Sequence, residues 1–282
     1  MEEVAIVGAG ELGGALAYRL ARRDMVSHIR LVDARGQIAA GTALDIMQAS
    51  PIGRFTTSVS GYSDITRAAG AHVVVLADAP GGADWQGDAG LLLLAQLAEI
   101  APRSVVVCAG AAGRELIERA VREQRYSRSR LFGSAPEALA GAVRAIVALE
   151  TNGSPADVAL TVLGVPPAHT VIPWEEATIA GFAATCVLDE PARRRIAARV
   201  PALWPPGPGA LAAAAGDAIA CVLGYSRRTI SCFVAPDGDA GRRLRARAAA
   251  LPVRLGAAGV AATRLPALSD RSQVALDNAL LL

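Results

Sequence analysis

Three glycines, Gly8, Gly10 and Gly13, separate a β-branched run at residues 4–7 from a helical pattern. That pattern opens at Glu11 and Leu12 and carries Ala15, Leu16 and Leu20 on one face. Each glycine has a physical task at such a junction. The first permits a tight turn, the second lets the backbone approach a pyrophosphate, and the third lets the helix pack close to the strand. Free amides and the dipole at the helix start then favour a phosphate charge. A second strand pattern, residues 29–33, ends on Asp33, about twenty residues on, where a carboxylate accepts hydrogen bonds from the adenosine ribose and repels a 2′-phosphate. Gly8, Gly10, Glu11, Leu12, Gly13 and Asp33 are therefore the expected cofactor-binding residues, with NAD favoured over NADP; Arg35 is the cation nearest to Asp33 in sequence that could soften the preference. The alternative for the same glycines is a structural turn in a domain that holds no nucleotide.

Strand patterns at residues 4–7, 29–33, 56–60, 72–77, 104–108 and 130–132 alternate with helical patterns at 11–23, 41–49, 90–101, 113–124 and 138–149. Such alternation marks βαβ units and predicts an α/β fold, a doubly wound parallel-sheet Rossmann domain, over residues 1–150. After Asn152, Gly153 and Ser154 the character changes, and residues 151–282 are expected to form an α+β substrate-type domain. Its expected elements are strands at 157–163 and 229–234, an alanine-rich helix at 209–223 and a closing helix from Ser269, the N-cap, to the end.

Composition narrows the function. All 28 basic residues are arginine and face 26 acids, a formal charge of only +2, which argues against a nucleic-acid surface. Two local clusters, Arg193 to Arg195 and Arg242, Arg243, Arg245 and Arg247, sit among alanines as solvated helix faces do. Cys108, Cys186, Cys221 and Cys232 have no CxxC spacing, so they suggest neither a metal site nor a disulfide framework and are expected to be buried thiols. The apolar stretches 91–100 and 209–224 are too short or carry Asp217, so no membrane span is expected. With no leader pattern at the N-terminus, the expected location is the cytoplasm.

Further segments follow in order: Gly41-Thr42-Ala43-Leu44-Asp45-Ile46, Gln48-Ala49-Ser50-Pro51, Gly61-Tyr62-Ser63-Asp64, Val162-Leu163-Gly164, Ile172-Pro173, Pro252-Val253 and Gly259-Val260. With Gly8 to Gly13 and Leu31-Val32-Asp33, they resemble the lactate/malate dehydrogenase family over nearly the whole chain. The resemblance implies hydride transfer between nicotinamide and C2 of a 2-hydroxy acid, and it implies four pieces of machinery. The family histidine belongs in a Gly-x-His-Gly-Asp segment; here residues 164–173 are one residue longer, with Pro166 and Pro167 where it falls and His169 nearest the family Asp. His169 is the candidate catalytic residue, with a surface or packing role as the alternative.

The family aspartate and arginine of Leu-Asp-x-x-Arg fall on Leu139 and Ala142, with Glu137 and Arg144 at other phases of the helix. The mobile loop, Asp78 to Gly90, has no arginine and holds Asp84, Trp85, Gln86 and Asp88. Where the family has Thr-Asn-Pro, this chain reads Cys108-Ala109-Gly110. Losing one acid–base group alone forfeits a factor of about 100 to 10,000, so lactate or malate turnover by that route is not expected. Two readings follow: an oxidoreductase acting on a small hydroxy or oxo compound with an altered active site, or a non-catalytic NAD-binding sensor or assembly subunit. His28, His72 and Trp174 are expected to be structural, and Arg114 a helix-surface residue, with contact to cofactor phosphate or substrate carboxylate as its alternative. The helix at 41–49 resembles the segment through which family members pair, which implies a homodimer or homotetramer.

Overall fold

The computed structural model describes residues 2–235 and 247–281. Arg242, Arg243 and Arg245 of the second arginine cluster lie outside them. The first half lays down β1 (Glu3–Val7), β2 (His28–Val32), β3 (Ser58–Tyr62), β4 (Val73–Leu76), β5 (Val105–Cys108) and β6 (Leu131–Gly133), all parallel, in the spatial order β3-β2-β1-β4-β5-β6. The crossovers are α1 (Glu11–Arg23), α2 (Gly36–Gly53), α3 (Gly87–Ile100) and α4 (Gly113–Glu123), and α5 (Ala135–Thr151) follows β6. Val73 to Leu76 and Val105 to Cys108 are buried at every position, as strands covered on both faces must be. The strand order reverses between β1 and β4, which opens a crevice at their carboxyl ends.

The second half contributes β7 (Val158–Ala159), β8 (Leu163–Val165), β9 (His169–Val171), β10 (Thr178–Ile179), β11 (Phe182–Ala183), α6 (Ala184–Val187), α7 (Glu190–Arg199), α8 (Pro208–Val222), β12 (Ile230–Val234), β13 (Ala249–Gly256), β14 (Gly259–Thr263) and α9 (Asp270–Leu280). β12 joins the parallel sheet antiparallel to β6 through Phe233 and Gly133, and β13, β8 and β9 extend it outward. β7, β10 and β11 form a separate small sheet. Helix α8 packs on α1 and α5, so Leu211, Ala215 and Ile219 share one core with Leu12, Leu16 and Leu20. Leu139, Val143 and Val147 of α5 face a second core built with Val158, Ile179 and Ile196.

Three expectations change. The single strand at 157–163 is two: β7 pairs with β10 and β8 with β13, because residues 160–162 carry the chain from one sheet to the other. There the Val162 amide donates to the Ser231 hydroxyl at 2.9 Å instead of to a ladder. Helix α2 is longer than 41–49, beginning at Gly36 and absorbing Pro51 near its C-terminus, where the missing N–H removes a single intrahelical bond. Cys186 is exposed, unlike the other three cysteines. By contrast, α1 spans residues 11–23 as its periodicity predicts, and Ser269 caps α9 by accepting from the Ser272 amide.

Candidate cofactor cleft

At the end of β1 the chain turns on Gly8, whose φ of +102° suits glycine. Its amide donates to the Val32 carbonyl at 2.8 Å. A Cβ on Gly13 would lie 2.0 Å from the Gly8 carbonyl oxygen, so the helix can approach the strand this closely only with glycine. Leu12 is buried in the core, whereas Glu11 is exposed on the first turn of α1. The Asp33 carboxylate accepts from the Ala9 amide at 3.1 Å and the Arg35 amide at 2.9 Å, which ties the end of β2 to the glycine turn. Arg35 folds back toward the same carboxylate at 3.7 Å.

Beside Asp33 lies a cavity of about 280 Å³, lined by Val7, Gly8, Val32, Asp33, Ala34, Ser63, Asp64, Ile65, Asp78, Pro80, Trp85 and Leu93. The Trp85 indole N–H is buried there without a partner among the described residues. The Asp64 carboxylate accepts from the Thr66 hydroxyl at 2.6 Å and amide at 2.9 Å, and these bonds hold its carboxyl below the ordinary value.

The segment after β4 enters the crevice. Asp78 lays its carboxylate over the glycine turn, accepting from the Gly13 amide at 2.8 Å and the Leu12 amide at 3.3 Å. A Cβ on Gly10 would come within 2.8 Å of the Asp78 carboxyl carbon. Six residues on, Asp84 accepts from the Ala112 amide at 2.8 Å and caps α4. Its Oδ1 sits 2.5 Å from where a Cβ on Gly110 would be, so a larger residue there would have to displace the Asp84 carboxylate. Burial, and secondarily the Asp84 charge, push the Cys108 thiol up to about 12, so it is not a nucleophile near neutral pH.

The positions to which the family resemblance pointed hold Leu139 and Ala142, while Glu137, Arg144, Glu176 and Arg228 line a separate cavity of about 270 Å³. Leu139 is fully buried in the second core, and Ala142 offers only a methyl group. Glu137 and Arg144, one helical face apart from these, pair with each other, and Glu137 also accepts from the Ser231 amide at 2.9 Å. His169 opens the edge strand β9, exposed, paired through its backbone with Val165, and is not among the residues lining the Asp33 cavity. His28 meets the Ser60 hydroxyl and His72 accepts from the Glu3 amide, both structural contacts. Arg114 pairs with Glu118 and donates to the Ala248 carbonyl, Asp88 pairs with Arg119, and Trp174 packs against the second core.

Two residues of this region carry no sequence signal. Asp78 meets α1 only because β4 lies beside β1, with Leu76 opposite Val7. Ser134, at the carboxyl end of β6, is fully buried, and its hydroxyl has no partner among the described residues.

A doubly wound sheet with a glycine turn, an acidic residue closing β2 and a cavity between them defines a dinucleotide-binding protein. A family model described as the NAD-binding domain of lactate/malate dehydrogenase matches residues 2–86. The malate dehydrogenase of Thioalkalivibrio sulfidiphilus is 32% identical over 208 residues, covering 71% of this chain and 68% of the relative. That of Thermomicrobium roseum is 26% identical with 97% and 93% covered. Among solved structures, malate dehydrogenase from Salinibacter ruber superposes with a TM-score of 0.83 at 23% identity, covering 98% of this chain and 93% of that one. A lactate dehydrogenase from Cryptosporidium parvum, complexed with lactic acid and NAD, gives 0.85 at 19% identity, with 99% and 96% covered.

The chain belongs to the lactate/malate dehydrogenase family, as an NAD-binding, dehydrogenase-like oxidoreductase. For NAD the adenosine half of the cleft fits: the Asp33 carboxylate borders the cavity, where it can accept from ribose hydroxyls. The phosphate half offers the α1 amides, and Asp78 already engages two of them.

Proposed function

We propose that this protein is an NAD-binding oxidoreductase of the family with an altered active site, which does not turn over lactate or malate by the histidine, aspartate and arginine route. NAD supplies or accepts the hydride; the chain's part is to position it and the second reactant. The observation that carries the reading is the replacement of a carboxylate and a guanidinium by Leu139 and Ala142, with no His or Arg among the residues lining the Asp33 cavity. A site without that bidentate clamp suits a small hydroxy or oxo compound whose recognition does not depend on a carboxylate. The buried, unpartnered Ser134 hydroxyl at the end of β6 is a polar handle for such a reactant or for the carboxamide end of the cofactor.

The second reading, a non-catalytic NAD-binding sensor or assembly subunit, is favoured by Asp84, whose carboxylate fills the turn after β5. We further propose that residues 1–150 hold the cofactor and residues 151–282 form the substrate-type unit. The protein is read as a cytoplasmic homo-oligomer pairing through α2, which leaves Leu44 and Ile52 exposed. No helix among the described residues is long and apolar enough to cross a membrane.

Titration with NADH by fluorescence, followed by addition of 2-oxo acids and then of simple ketones and aldehydes, separates the readings. Binding, with oxidation of NADH by a ketone or aldehyde of the panel but not by oxaloacetate or pyruvate, is expected. Robust oxaloacetate reduction abolished in His169→Ala would overturn the altered-site reading; binding without any oxidation would support the sensor.

A further inference from the structure

The α1 N-terminus is an anion seat that the chain occupies with its own side chain. We propose that Asp78 is a built-in competitor for the cofactor's pyrophosphate, so that NAD enters only when this carboxylate leaves the Leu12 and Gly13 amides. The inference rests on the NAD reading above.

Three observations carry it. The Asp78 oxygens lie 2.8 Å from the Gly13 amide and 3.3 Å from the Leu12 amide, the donors through which a helix start holds phosphate. The place that glycine leaves free at Gly10 for close approach of a ligand is filled by the Asp78 carboxyl carbon, 2.8 Å from a would-be Cβ. Finally, the cavity lining includes Asp33, Asp64 and Asp78 and no Arg or His. A pyrophosphate would therefore meet like charge, with the dipole of α1 already neutralised.

The segment is held from both sides. Asp78 caps α1 and Asp84 caps α4, while the Ala79 amide bonds the Ala83 carbonyl at 2.7 Å and the Gly82 amide bonds the Ala79 carbonyl at 2.9 Å. Helices α1 and α4 follow β1 and β5, the strands on either side of β4 from which the segment springs, so one short stretch reaches the starts of both.

The test is a fluorescence titration with NADH, paired with calorimetric titration of adenosine as a phosphate-free probe, on the wild type, Asp78→Ala and Asp78→Asn. Asp78→Ala is expected to bind NADH about tenfold tighter, and Asp78→Asn about threefold tighter, with adenosine changed less than about threefold in both. The tightening should shrink as salt is raised, because it is charge repulsion relieved. Should loss of the α1 cap leave Asp78→Ala unfolded by circular dichroism, Asp78→Asn, which keeps a carbonyl acceptor at the same place, carries the comparison alone. Equal NADH affinity in wild type and variants would overturn the inference while leaving the NAD reading intact. Failure of every variant to bind either probe would overturn both, and binding of adenosine without NADH in all three would overturn the inference.

Discussion

The two ends of the cofactor cleft are built on different terms. At the adenosine end the required features belong to the backbone: Gly13 has no Cβ because the Gly8 carbonyl oxygen would lie 2.0 Å from it, and Asp33 braces the turn through the Ala9 amide. These residues serve the fold whether or not a ligand is present. At the nicotinamide end the family resemblance calls for side chains whose only work is chemical; the positions it points to hold Leu139, which is absorbed into the core, and Ala142, which carries no polar group. A glycine turn therefore reports on packing first and on ligand second. Side-chain chemistry has no such structural anchor and can be exchanged for apolar packing without disturbing the sheet.

This contrast can be broken most forcefully at Gly13. Gly13→Ala should lower stability by about 3 kcal/mol or more, because backbone has to move to relieve the contact, and NADH binding should be lost with it. A Gly13→Ala variant with unchanged Tm would show that the glycine serves the ligand alone.

A smaller effect sharpens the other end. Ser134→Ala removes a buried hydroxyl without a partner, so the ligand-free protein should gain about 1 kcal/mol of stability. NADH should bind about threefold weaker, whereas ADP-ribose, which lacks the nicotinamide, should bind unchanged. Equal loss for both ligands would remove Ser134 from the nicotinamide end.

The smallest expected effect is acid sensitivity at two carboxylates beside β3, Asp64 in the cavity lining and Asp24 at the far end of α1. Asp24 and Asp64 are held below the ordinary carboxyl value of 3.8, Asp24 chiefly by the Thr56 amide and Asp64 chiefly by the Thr66 hydroxyl. A depressed carboxyl contributes stability that is complete above its unfolded-state value and is lost as pH falls through the lower folded value. Amide-exchange protection at Thr56, Thr57 and Thr66 should hold down to about pH 4 and fall below it. Loss of that protection already at pH 6 would contradict the assignment.

Much of the fold was legible in residue order. The periodicity of residues 11–23 gave α1 its bounds, the β-branched runs marked β4 and β5, and Ser269 announced the cap of α9. The strand at 157–163 was misread because alternation says nothing about which sheet a residue pairs with, and residues 160–162 change sheets. Cys186 was expected inside with the other cysteines, yet it lies on the short exposed helix α6. At the site, Gly8, Gly13 and Asp33 were legible as a spaced pattern. Asp78 was not, since its partners are 65 and 66 residues earlier in the chain.

By itself the sequence determined the local rules: where a helix starts, where a strand is buried on both faces, and where the backbone must pass without a Cβ. These depend on side-chain size, polarity and spacing, all carried by neighbouring residues. Only the tertiary structure decided that the loop after β4 turns its carboxylates onto the starts of α1 and α4. That outcome arises from the parallel pairing of β4 with β1 on one side and β5 on the other, which brings free amides of both helices within reach of one segment and lets its aspartates satisfy them.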